Sequence, residues 1–182
     1  NTLTESSQKD DNTIAIFLNE DLMKNSQKKL LDSTKSIFEP GEYEVNNIPI
    51  QSHAVKLNTE NVDESTNIYS VISEGMTICY LNEISKISIP ANVTESIGKI
   101  DILVCISNDS SDQSVESINS LLSSIDPKVL LIAEKGSNEE TTEIYSKIIK
   151  GLGQNSEDPS INANITKSGI GDSLKVVNLK KS

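Results

Sequence analysis

IDILVCISNDSSDQSVESINSLLSSIDPKVLLIAE, residues 100–134, decides the fold, because it reads as strand, loop, helix and strand in succession. Ile100 and the run Ile102, Leu103, Val104, Cys105 and Ile106 are apolar almost without a break, the pattern of a strand covered on both faces. The polar run Ser107 to Ser111 stops it. Val115, Ile118, Leu121, Leu122 and Ile125 then recur at helical spacings and form one stripe that can lie on a sheet. Ser110 and Gln113 have the spacing of a capping box. Asp126-Pro127 ends the helix, since a residue before proline is driven out of the helical region, and Val129 to Ile132 begin a second buried strand. The unit is βαβ, so the two strands are parallel. Ligands of open α/β sheets gather at the carboxyl ends of such strands, here Ser107–Asp109 and Glu134–Gly136.

Outward from this unit, the first half is strand-rich. Thr13–Leu18 (TIAIFL) reads as a short strand, Pro40-Gly41 as a turn, and Tyr43, Val45 and Ile48–Ile50 as continuing strand. Asn67–Ser73 and Met76–Leu81 flank Glu74-Gly75, a tight hairpin signal. Ala91–Ile97 makes a short helix ending at Gly98. Downstream, Asn138–Lys150 is an amphipathic helix carrying Ile144, Ile148 and Ile149, and Gln154–Ile165 reads as a linker. Ser173–Lys181 is expected to be an edge strand guarded by lysines. Residues 1–12 carry no period and read as a loose N-terminal segment, leaving residues 13–182 as one α/β domain.

Composition narrows the function. With 182 residues, 35% hydrophobic and only 3% aromatic, the interior must be built from Ile, Leu and Val. A net charge of −11 speaks against nucleic acid, which requires a basic face, and against an anionic membrane surface. The chain as given shows neither a secretory core at its start nor a run of about 20 apolar residues, so a cytoplasmic protein is expected. Cys79 and Cys105 sit inside apolar strands with no CxxC, as buried free thiols would, which fits a reducing compartment. The three Asn-X-Ser/Thr triplets are read as chance in a chain rich in these residues.

Four segments, PGEYEV at 40–45, TICYLNEI at 77–84, IDILVCIS at 100–107 and INSLLSSIDPKVLLIAEK at 118–135, in that order and spacing, resemble the small hydrolases of the metallo-β-lactamase fold. The nearest branch is that of zinc-dependent hydrolases related to ascorbate-phosphate lactonase, and the resemblance covers roughly residues 13–180. It implies a four-layer αββα sandwich with a metal site at the sheet edges, here with its N-terminal part either trimmed or reduced. The family's HxHxDH loop falls on Asn19-Glu20-Asp21-Leu22-Met23-Lys24 in one register and on Ser7–Asn12 in the other; neither contains histidine. Its HLGD pattern falls on Tyr80-Leu81-Asn82-Glu83, and its final PxHY-type histidine on Glu134.

The chain contains one histidine, His53, whereas a zinc hydrolase site takes several neutral imidazoles. The expectation is therefore a degenerate member without cofactor, not an enzyme, serving as a structural or binding subunit with a protein partner or a second copy of itself. The other reading is a hydrolase holding a hard divalent cation, Mg²⁺, Ca²⁺ or Mn²⁺, on Asp21, Glu83 and Glu134. Against it stands the ordinary fate of carboxylates in a chain with 27 Asp and Glu, which is a solvated acidic surface. A lone histidine is more often a packing or surface residue than a base, and Ser107–Ser111 more often cap a helix than bind an anion. A charge at Val104 is expected to unfold the domain, and Glu83→Gln or Glu134→Gln to leave it folded.

Overall fold

The structure, a computed structural model, describes residues 14–17, 35–58, 64–82, 87–107, 112–134, 138–153 and 160–179. Ile102–Ser107 and Val129–Glu134 are indeed parallel strands, joined by a helix at Asp112–Ile125. In chain order the strands are β1 (Ile14–Ile16), β2 (Lys35–Ile37), β3 (Gly41–Val45), β4 (Ile48–Lys56), β5 (Ser65–Ser73), β6 (Met76–Asn82), β7 (Ile102–Ser107), β8 (Val129–Glu134) and β9 (Lys175–Leu179). The helices are α1 (Ala91–Ile97), α2 (Asp112–Ile125) and α3 (Asn138–Gly151). Strands β3 to β9 form one sheet in sequence order, antiparallel from β3 to β6 and parallel from β6 to β9, and β1 pairs with β2 in a separate parallel pair.

Alternation along each strand sorts side chains between the two faces of this sheet. On one face Cys79, Leu81, Leu103, Cys105, Leu130, Ile132 and Val176 meet Val93 of α1, Ile118, Leu121 and Leu122 of α2, and Tyr145, Ile148 and Ile149 of α3. The stripe on α2 is the one its spacing predicts; on α3 the buried set includes Tyr145, which the spacing of isoleucines does not reveal. Each fully buried Leu or Ile contributes on the order of 1.5–3 kcal/mol, and this cluster is the main store of stability.

The opposite face is covered in two pieces. Over β3–β6, Ile14, Ile16 and Ile37 of the small sheet pack on Tyr43, Val45, Ile50, Tyr69, Val71 and Tyr80. The Tyr69 hydroxyl fastens this contact by donating to the Phe17 carbonyl at 2.6 Å, while the Asn67 carboxamide donates to the Phe38 carbonyl. Over β6–β9, Met76, Ile102, Val129 and Val177 are covered by Ile165 and Ile170. Residues 160–170 are thus a packed strap, whose part up to Ile165 the sequence reads as the end of a linker, since two isolated isoleucines among polar residues carry no period. Val104 and Leu131 lie on this side and keep part of their surface accessible, whereas Leu103 and Leu130 are fully enclosed beneath the helices. The unfolding effect expected of a charge at Val104 belongs more strongly to Leu103.

Turns place the strands. Glu74 and Gly75 both adopt positive φ (51° and 72°), the two-residue hairpin the sequence announces. Asn46 and Asn47 do the same (53° and 62°), so β3 and β4 reverse where a continuing strand is expected, and β4 runs on to Lys56. Asn tolerates this left-handed conformation better than other non-glycine residues. At the amino ends of the parallel strands Asp101 ties four pieces together. Its carboxylate accepts Lys167 Nζ at 2.8 Å on both oxygens and the Thr77 N–H at 3.0 Å, and its carbonyl accepts the N–H groups of Lys128 and Val129. The expected loose segment 1–12 lies outside the described residues.

Burial alone would raise the Asp101 pKa, but the hydrogen bonds from Lys167 and Thr77 and the charges of Lys167 and Lys99 outweigh it and leave it lowered. A lowered folded-state value means stability that is present above the unfolded carboxylate value of about 3.9 and lost as pH falls through the folded value. Asp101→Asn should therefore be less stable than the parent at neutral pH, with the gap closing in urea melts below about pH 4. A gap that stays constant into acid would contradict this account of the carboxylate.

Candidate functional site

Strands β6 to β9 all point the same way, so their carboxyl ends make one rim of the sheet. Register places Asn82 opposite Ile106, Ser107 opposite Glu134, and Ala133 opposite Leu179. β6 and β8 flank β7, so the backbones of Asn82 and Glu134 are separated by roughly 10 Å, two inter-strand spacings. This is the rim where the sequence places its candidate carboxylates. The backbone of Glu134 ends β8 there; Glu83, the residue after Asn82, and Asp21 lie outside the described residues. Of the expected pair of strand ends, Ser107 and Glu134 are brought side by side, while Asn108, Asp109, Lys135 and Gly136 lie outside the described residues.

His53 lies outside these four strands, on β4, two strands from β6. It sits in the middle of β4 opposite Ile68, on the face that carries the helices, beside Val55 of the main core cluster. Its ring is half-buried and its Nε2 is enclosed without a hydrogen-bond partner. The strand itself escaped the sequence reading beyond Ile50, because Ser52 is a buried polar residue and breaks the apolar alternation. With β4 recognised through Lys56, the period of two would have assigned His53 to the helix-side face.

Neither thiol offers an alternative ligand or nucleophile. Cys79 and Cys105 are free and buried, on neighbouring strands of the same face. Burial pushes the Cys79 thiol up to about 12; it pushes Cys105 up as well, with the neighbouring Cys79 adding to the effect. Among the described residues no group of three His, Cys, Asp or Glu side chains is arranged to hold a metal ion, a statement that does not extend to Asp21, Glu83 or the Glu134 side chain. A groove of about 520 Å³ runs between residues 87–89 and α2, lined by Ser88, Ser117, Ser120 and Ser124 with Glu116. It lies on the helix side of the sheet. Among the described residues no helix is long and apolar enough to cross a membrane.

This architecture is shared with solved structures of the metallo-β-lactamase superfamily. A protein from Thermotoga maritima described as a Zn-dependent hydrolase of that superfamily aligns over 91% of this chain and 80% of its own, with a TM-score of 0.60 at 15% identity. The metallo-β-lactamase fold protein YhfI from Bacillus subtilis aligns over 97% and 67%, with a TM-score of 0.51 at 12% identity. Igni18, a metallo hydrolase from Ignicoccus hospitalis, aligns over 93% and 77%, with a TM-score of 0.50 at 6% identity. No family model and no curated protein matches the chain. The fold is therefore α/β of the metallo-β-lactamase type, and the described residues supply three of its layers: helices, large sheet and small sheet.

Thiols enclosed beneath three helices and held protonated should be inert in the native state. An aromatic disulfide reagent at pH 8 is expected to label neither cysteine until denaturant is added, when both react. Stoichiometric labelling without denaturant would place at least one thiol at an accessible position and contradict the helix-side core.

Proposed function

We propose that this chain is a non-catalytic protein of the metallo-β-lactamase fold that acts as a structural or binding subunit, for a protein partner or for a second copy of itself. The observation that carries the reading is the place of the only imidazole. His53 is the sole histidine of the chain, and it lies on the helix-side face of β4, two strands from β6 and outside the four parallel strands that make the rim. Hydrolytic zinc is held mainly by imidazoles with an open position for water, so the residues present do not fit a site of that kind. The fold alone does not argue for activity, because function resides in a site and not in its scaffold.

A second reading has one observation in its favour. Glu134 ends β8 at the rim, and Glu83 follows Asn82, the last residue of β6, in sequence; with Asp21 they are the carboxylates this reading assigns to an oxygen-donor site. Carboxylates without imidazole select Mg²⁺, Ca²⁺ or Mn²⁺ over zinc. Elemental analysis of the chain purified without chelator separates the readings. Well under one equivalent of any transition or alkaline-earth metal is expected. One equivalent of Mn²⁺, Mg²⁺ or Ca²⁺ that is lost in Glu134→Gln would favour the carboxylate site, and one tightly bound zinc per chain would overturn both.

A further inference from the structure

The strap over β6–β9 is held unlike any other part of the sheet's covering. Ser160 bridges to Leu179, its N–H bonding to the Asn178 carbonyl at 3.0 Å, and Lys175 rejoins the sheet as the first residue of β9. Between these points residues 161–164 and 166–169 are exposed, and only Ile165 and Ile170 reach the apolar face. The backbone hydrogen bond found within residues 161–173, among the described residues, is internal to the strap: Gly169 N–H to the Thr166 carbonyl at 2.9 Å. Among the described residues one polar contact fastens the middle to the sheet. Lys167 stands in a single turn of 3₁₀ helix between the two isoleucines and places Nζ 2.8 Å from both oxygens of Asp101.

The two ends of that ion pair differ in burial. The Asp101 side chain is 7% exposed and that of Lys167 is 52% exposed. Asp101 is fixed by the Thr77 N–H and by its own backbone bonds to Thr77, Lys128 and Val129, so it belongs to the sheet; Lys167 belongs to the strap. Segments with few apolar contacts and few backbone bonds to the rest open locally at lower free energy than the fold as a whole. An enclosed carboxylate left without its cation is costly, and water can relieve it at once if the strap lifts.

We infer that residues 160–170 are a latched strap: the Lys167–Asp101 pair holds the segment closed over the apolar face formed by Ile78, Ile102, Val104, Leu131 and Val177, and removing the Lys167 charge opens it while the seven-stranded sheet stays folded. The device is built into the fold, and it does not depend on whether the rim binds a metal. Opening exposes an apolar patch on β6–β9 that the closed protein covers, and any agent that neutralises Lys167 acts as the release.

The test compares the full chain with Lys167→Met and Lys167→Arg. Thermolysin cuts before isoleucine and leucine, and Ile161, Ile165 and Ile170 offer it sites within the strap; hydrogen exchange followed by mass spectrometry reports β7 and β8. In Lys167→Met, cleavage between residues 160 and 171 should accelerate about tenfold or more, while exchange at residues 103–105 and 129–132 stays within about twofold of the parent. Lys167→Arg, which keeps the charge, should restore slow cleavage. Unchanged cleavage in Lys167→Met would overturn the inference, because Ile165 and Ile170 would then suffice to hold the strap. Loss of protection in β7 and β8 in parallel with the strap, or failure of the variant to fold, would overturn it as well, because the pair would then hold the sheet itself.

Discussion

Two adjacent strands of this protein must be kept dry on both faces, and the rest of the architecture follows from that requirement. β7 and β8 alternate Leu103, Cys105, Leu130 and Ile132 toward one side with Ile102, Val104, Val129 and Leu131 toward the other. Parallel strands cannot be joined by a tight hairpin, so the connection between them is a helix, and that helix supplies cover on one side. α1 and α3 extend the cover to β6 and β9. The other side has no α-helix among the described residues and is closed by unlike pieces, a two-stranded sheet over β3–β6 and an irregular strap over β6–β9. Each of these is fixed by polar contacts as well as apolar ones: Tyr69 and Asn67 for the small sheet, Asp101 with Lys167 for the strap.

This division explains what could be read from the residues alone. The βαβ unit was legible because both of its periods are strong: continuous apolar residues for strands buried on two faces, and a three-to-four spacing for α2. The Glu74-Gly75 hairpin was legible because glycine accepts positive φ. Asn46-Asn47 makes an equivalent turn without glycine, and so β3 and β4 merged into one expected strand. The strap was missed for a different reason, since Ile165 and Ile170 are five residues apart in an irregular segment and their burial depends on a sheet already formed. No local pattern encodes the pairing of Lys167 with Asp101 across 66 residues of chain.

The candidate site was legible only in its position. Strand direction places the strand ends at Ser107–Asp109 and Glu134–Gly136, and the structure sets the backbones of Ser107 and Glu134 side by side. The identities of its candidate residues came from resemblance, residue by residue. Sequence counting showed one histidine; the fold adds that it lies on the helix-side face of β4, two strands away from β6.

The central claim is that this fold stands on its apolar ladder without help from a transition metal. A ligand that binds the folded state alone raises the melting temperature by mass action, and its removal lowers it. Thermal unfolding followed by circular dichroism, on the same sample as purified, after exhaustive chelation and with excess Zn²⁺ restored, measures this directly. The account predicts three melting curves that superimpose. A melting temperature that falls on chelation and recovers with zinc would contradict it.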